Sequence, residues 1–99
     1  MLNSKQRAFL RAEASRIESI FQIGKGGVGE QAVKSIGDAL EARELVKISV
    51  LDNSDVDTRG AAEEIATLTG SEVVSVIGRK IILFKESSKI EKRKISTQI

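Results

Sequence analysis

The stretch FQIGKGGVGEQAVKS, Phe21 to Ser35, moves from strand-like alternation through a cluster of glycines into a helical period. Phe21 and Ile23 alternate with Ile20 and Gln22, which marks a short strand ending at Gly24. Past the glycines, Val28, Ala32, Ile36 and Leu40 recur every four residues, the apolar stripe of a helix that ends near Ala42. Strand, glycine turn and helix in immediate succession form the first half of a β-α-β unit.

On the N-terminal side of this stretch, Ser4 is a suitable N-cap for a helix running through Ala14, with Phe9 and Ala12 set inward and Glu13 and Arg16 outward. On the other side, ELVKISVL at 44–51 is rich in β-branched residues and sets Val46, Ile48 and Val50 on one face against Lys47 and Ser49 on the other. DNSDVDT at 52–58 supplies a turn and the acidic start of a third helix, with Ala61, Ala62, Ile65 and Leu68 inward and Gly70 as its stop. EVVSVI and KIILFK flank Gly78-Arg79, a pair that closes a two-residue hairpin. The order is α-β-α-β-α-β-β, an α+β chain with three helices against a small four-stranded mixed sheet. Residues 1–86 form the domain. Residues 87–99, SSKIEKRKISTQI, show no clear period and are expected to be a mobile or short basic tail.

A chain of 99 residues is the size of one domain. It has no cysteine and no histidine, so disulfides, zinc sites of the Cys/His kind, and Ser-His or Cys-His nucleophiles are all excluded. The apolar run KIILFK at 80–85 is far short of the roughly 20 residues of a membrane span, and the N-terminus lacks a continuous signal-peptide core. A cytoplasmic chain with no membrane partner is expected.

The net charge of +2 hides an uneven distribution. Residues 1–25 carry five bases against two acids and residues 77–99 seven against two, whereas 26–76 carry four against ten. A fold that brings the two ends together would display one basic surface suited to a polyanion; scattered solvated charges are the alternative.

The glycines admit three phosphate chemistries. KGGVG opens one kind of Walker loop, but the Lys and Ser/Thr that must follow its last glycine are replaced by Glu30 and Gln31. Gly24, Gly26 and Gly29 satisfy the dinucleotide fingerprint, yet Glu44 precedes the second strand, whereas the ribose-binding acid belongs at that strand's end. The third reading is G-x-x-G, formed by Gly24, Lys25, Gly26 and Gly27. Without Cβ atoms this backbone can approach a phosphodiester, with its N–H groups at the positive end of a helix and Lys25 as a mobile charge. A plain strand-to-helix turn needing positive φ accounts for the same glycines.

DVDTRG at 55–60 imitates a calcium loop, but Arg59 and Ala66 occupy ligand positions. Glu63 and Glu64 are adjacent on a helix and diverge. The three phenylalanines, Phe9, Phe21 and Phe84, fall at core positions, so contact with backbone shape and phosphate is expected rather than base stacking on exposed rings.

SKQRAFLRAEA at 4–14, IGKGGVGEQAV at 23–33, ALEARELVKISV at 39–50 and TGSEVVSVIGRKIILFK at 69–85 resemble, in order and spacing, the YhbY-type CRM domain, a chloroplast RNA-splicing and ribosome-maturation module. The resemblance covers about residues 2 to 85. It implies a fold similar to the C-terminal domain of translation initiation factor three, with a KH-like G-x-x-G loop at Gly24–Gly27. It places the family's E-L-x-K segment on Glu44 to Lys47 and its hairpin turn on Gly78 and Arg79. Phe84 stands where the family often has tyrosine, and Gly29 where threonine is common. For a single free-standing domain the resemblance implies RNA binding and association with large-subunit (pre-50S) ribosomal precursors.

The expectation is therefore a monomeric, non-catalytic RNA-binding assembly factor without metal or cofactor. Gly24, Lys25, Gly26 and Gly27 would meet ribosomal RNA backbone, and Arg7, Arg11, Arg79, Lys80 and Lys85 would form the flanking cations. The alternative is a protein-interaction module that uses the acidic middle helices and touches RNA incidentally.

Overall fold

The computed structural model describes residues 2–24, 26–52 and 56–99. Its elements are α1 (Ser4–Ala14), β1 (Phe21–Ile23), α2 (Glu30–Arg43), β2 (Leu45–Val50), α3 (Thr58–Thr69), β3 (Glu72–Ile77) and β4 (Lys80–Phe84), followed by short 3-10 turns at Ile90–Lys92 and Ser96–Gln98. This is the expected α+β order, three helices with one four-stranded mixed sheet. The strands lie in the order β1-β2-β4-β3, with β1 parallel to β2 and β4 antiparallel to both of its neighbours.

Alternation along the central strands gives each sheet face its own core. Val46, Ile48 and Val50 of β2 and Ile81 and Leu83 of β4 pack beneath α2 and α3 with Ile36, Leu40, Ala61, Ala62 and Ile65. On the second face, Leu45, Val74, Ile82 and Phe84 pack against Leu10 and Ala14 of α1.

Two details of the helices depart from the expected pattern. Asn3, not Ser4, caps α1: its side chain accepts from Gln6 N–H at 2.8 Å while the Gln6 side chain accepts from Asn3 N–H at 2.9 Å. The buried line of α1 is accordingly Leu10 and Ala14, with Ala12 exposed. In α3, Leu68 is 58% exposed and Ala66 is buried in its place, since the inward line runs through Ala62, Ile65, Ala66 and Thr69. Asn53 to Asp55, expected in a turn, lie outside the described residues.

Beyond β4 the chain makes defined contacts with the domain. It folds back over the second face, where Ile95 and Ile99 join the α1 core. The anchor is Glu44, fully buried and in the left-handed region at φ 68, where it ends α2 with its N–H donating to Leu40 O at 2.8 Å. Its carboxylate accepts from Ser87 N–H at 2.8 Å, Lys94 N–H and Ser96 N–H at 3.0 Å each, and Ser96 Oγ at 2.7 Å. One turn earlier, Glu41 accepts from the N–H and the hydroxyl of Ser88 and pairs with Lys85 Nζ at 2.9 Å. Periodicity cannot reveal such a tail, because polar bonds to two carboxylates fix it rather than an apolar stripe.

Both carboxyls are acidified by these bonds. The Ser88 hydroxyl, then Lys85 and the Ser88 N–H, hold Glu41 at about 2 against an ordinary 4.5. Burial pushes Glu44 upward, but the Ser96, Ser87 and Lys94 donors together outweigh it and leave the carboxyl below its ordinary value. Groups whose folded pKa is depressed contribute stability above their unfolded pKa and lose it as pH falls through the folded one. The tail contacts should therefore be intact at neutral pH and weaken from about pH 4.5 toward 2. We expect Glu44→Gln to lower stability at pH 7 by about 2 kcal/mol, because one buried acceptor set meets an amide that cannot accept from all four donors. Thermal unfolding at pH 7 and pH 3 checks this: the gap from the parent should narrow in acid, and equal melting at pH 7 would show that the carboxylate does not hold the tail.

Candidate functional site

Because β1 and β2 are parallel, both end on the same side of the sheet, and β4 begins there. The glycine turn after β1, the residues after β2 and the β3–β4 turn are thus neighbours. Leu51 joins them: its N–H donates to Ile23 O at 2.9 Å, its side chain lies 3.6 Å from where a Cβ on Gly24 would stand, and its carbonyl accepts from Arg79 Nη1 at 3.2 Å. Arg79 in turn returns its own carbonyl to Val50 N–H at 2.8 Å.

The turn is closed by Gly27 N–H donating to Gly24 O at 3.0 Å, and Gly27 takes φ 73, a conformation that glycine adopts without steric cost. At Gly26, which is exposed, an added Cβ would meet no atom of the described residues within 4 Å, so among these this corner is open. Gly29 caps α2 with extended backbone and has no side chain to accept from the first-turn N–H groups at that helix's positive end. Glu30 in the same turn suits the helix dipole and opposes an incoming phosphate. Lys25 lies outside the described residues.

The structure sorts the other cations named from sequence. Arg79 stands at the glycine end, 43% exposed, with Nε 3.5 Å from an exposed Asp52 carboxylate. Lys80 follows it on the second face. Arg11 is exposed on α1. Arg7 and Lys85 are not brought to the turn. Arg7 Nη1 donates to the carbonyls of Val73 and Val74, where a register shift in the edge strand β3 disturbs its pairing with β4. Lys85 belongs to the opposite end of the sheet and to Glu41.

Sequence reasoning passed over Ser19, Gln22 and Ser49. Gln22 pairs with Ser49, Ser49 with Lys80 and Lys80 with Ile77, one row across all four strands on the second face. Gln22, Lys80 and Ile77 are exposed, so α1 does not cover this row. The signal was the polar alternate face of β2, Lys47 and Ser49: a central strand with a polar side is one whose face is partly uncovered. Lys47 itself is taken up locally, with Nζ 3.3 Å from Ala14 O and 3.5 Å from Ile17 O at the end of α1. Among the described residues, no group of three or more acids could hold a metal ion. No described helix is long and apolar enough to cross a membrane.

Comparison with protein families matches the CRS1 / YhbY (CRM) domain over residues 2–85. The chain is 48% identical over 87 residues to the Bacillus subtilis (strain 168) protein named "Probable RNA-binding protein YqeI", covering 88% of this chain and 91% of that one. It is 35% identical over 86 residues to "Probable RNA-binding protein MJ0652" of Methanocaldococcus jannaschii, covering 85% of this chain and 63% of the relative. The solution structure of the Staphylococcus aureus protein SAV1595 superimposes with a TM-score of 0.78 at 45% identity, over 95% of this chain and 98% of that one.

The geometry of the turn separates its glycines. Gly27→Ala should cost about 1 kcal/mol, since Ala is strained at positive φ, whereas Gly26→Ala should stay within about 0.5 kcal/mol. Urea unfolding of the two variants tests this, and equal losses would contradict the conformation assigned to the turn.

Proposed function

Because the chain belongs to the CRS1 / YhbY (CRM) domain family, we propose that it binds RNA, through the glycine turn, the start of α2 and the cations at that end of the sheet. The observation that carries this reading is the exposed corner at Gly26, beside a helix start capped by a glycine and within one strand-end of Arg79 and Lys80. Backbone N–H groups there meet phosphate oxygens without side chains intervening, and the cations raise the local concentration of a polyanion. The names of the relatives support RNA as the partner.

The finer reading is an assembly role: a cytoplasmic monomer that engages the RNA of large-subunit ribosomal precursors and performs no covalent chemistry. Support comes from the family resemblance and from a site made of phosphate donors, with neither histidine nor cysteine in the chain to serve as a nucleophile's partner or a soft metal ligand. Lys25 supplies a counter-charge, and Arg11 an outlying one.

A second reading is favoured by one feature of the first face. Leu68 is 58% exposed in a cleft between α2 and α3 that it lines with Val28 and Val33 and with the charged Glu30, Lys34 and Glu64, a surface that could receive a protein. Salt separates the two: affinity for RNA falls steeply with ionic strength, about 0.7 to 0.9 in log–log slope per phosphate neutralised, whereas an apolar protein contact does not.

The double change of Lys25 and Gly26 to Asp should reduce affinity for precursor ribosomal RNA by at least about tenfold, the scale of losing charge-assisted bonds, with the melting temperature nearly unchanged. Filter binding and thermal unfolding on the same preparation give both numbers. Undiminished affinity in the folded variant would refute the turn as the contact.

A further inference from the structure

On the open half of the second face, the buried hydroxyl of Ser49 organises a cluster that neither core requires. Lys80 Nζ donates to Ser49 Oγ at 2.7 Å and lies 3.4 Å from Ser19 Oγ, while Ser49 Oγ donates to Ser19 Oγ at 2.8 Å. Ser49 spends its proton on Ser19, so the Ser19 hydroxyl accepts within the cluster and retains its own proton to donate elsewhere. The Lys80 ammonium has three N–H donors and uses two on the serines. Among the contacts of the described residues, one neutral O–H on Ser19 and one N–H on the charged ammonium therefore remain, and no carboxylate takes part in these contacts. Such a set suits a single phosphate oxygen pair.

The surroundings favour a strand whose bases are unpaired. Ile77, opposite Lys80 in the register, is 56% exposed, and Ile20, one position beyond Ser19, is 38% exposed. Aliphatic surface on both sides of a phosphate seat offers contact to base faces, which a duplex keeps stacked inside. Lys80 also follows directly on Arg79, so the cluster continues the glycine end rather than standing apart from it.

We propose that Ser19, Ser49 and Lys80 form a second phosphodiester seat, and that a single-stranded RNA segment bound at the glycine turn passes onto this uncovered part of the sheet. Ser19 and Lys80 touch the phosphate; Ser49 is a positioning residue that orients both. The inference rests on the RNA-binding reading above.

The test uses the full chain and a fluorescein-labelled single-stranded RNA of about 12 nucleotides, alone or annealed to its complement, in anisotropy titrations between about 50 and 200 mM salt. Lys80→Gln should weaken single-strand binding about tenfold and reduce the salt slope by about 0.7, and Ser19→Ala should weaken it about threefold with the slope unchanged. The annealed probe should bind the parent more weakly than the single strand. If both variants match the parent while the Lys25/Gly26 double change abolishes binding, the second seat is refuted and the glycine turn stands. If the parent binds neither probe, the RNA-binding reading fails first and takes this one with it. Equal affinity for the annealed probe would overturn the unpaired path.

Discussion

A parallel strand pair cannot be closed by a tight turn, so β1 must leave the sheet at its far end, cross over through α2 and return to begin β2 on the same side as β1 began. That single pairing decides what meets at the glycine end. It sends the exit of β1, the start of α2 and the exit of β2 to one edge of the molecule, and the insertion of β4 between β2 and β3 delivers the Gly78-Arg79 turn to the same place. The open glycine corner and the cations beside it are consequences of topology before they are anything functional.

The second face follows from a different constraint. α1 and the C-terminal segment share one core through Leu10, Phe84, Ile95 and Ile99, so the two basic ends of the sequence lie on one face while the acid-rich middle supplies the helices of the other. Glu44 makes this possible: a left-handed residue that ends α2, starts β2 and gathers the returning chain with one carboxylate. The cations then divide by what they touch. Arg7, Lys47, Lys85 and Arg93 are spent on carbonyls and carboxylates of the fold itself, the last on Ser87 O at 2.7 Å. Arg79, which also donates to Leu51 O and pairs with Asp52, and Lys80, which donates to the Ser49 hydroxyl, differ from these in standing at the glycine end.

Much of this was legible in the sequence because local signals and tertiary demands agreed. The alternation in ELVKISVL, the four-residue stripe after Val28 and the Gly78-Arg79 pair all specified elements the structure contains. Leu68 was misplaced because an inward line of small residues, Ala62 and Ala66, brings α3 close to the sheet and rotates Leu68 outward. The contacts of the C-terminal segment and the capping role of Asn3 left no period to read for a common reason: they are hydrogen bonds to side chains, Glu41 and Glu44 in the first case and Asn3 in the second. Among the candidate site residues, the glycines and Arg79 fell where spacing placed them, but charge alone could not distinguish Arg7, which caps carbonyls at an irregular edge strand, from Lys80. Ser19 and Ser49 needed the register, since only cross-strand pairing puts Ser49 beside Lys80.

Contact between RNA and the backbone amides at the glycine end of the sheet, as proposed, is followed residue by residue through the amide chemical shifts of the labelled protein, read by NMR as unpaired RNA is added. The largest changes are expected on Gly24, Gly26, Gly27, the first turn of α2, and Arg79 and Lys80. Shifts confined to the outer faces of α2 and α3, with the glycine amides unmoved, would contradict it.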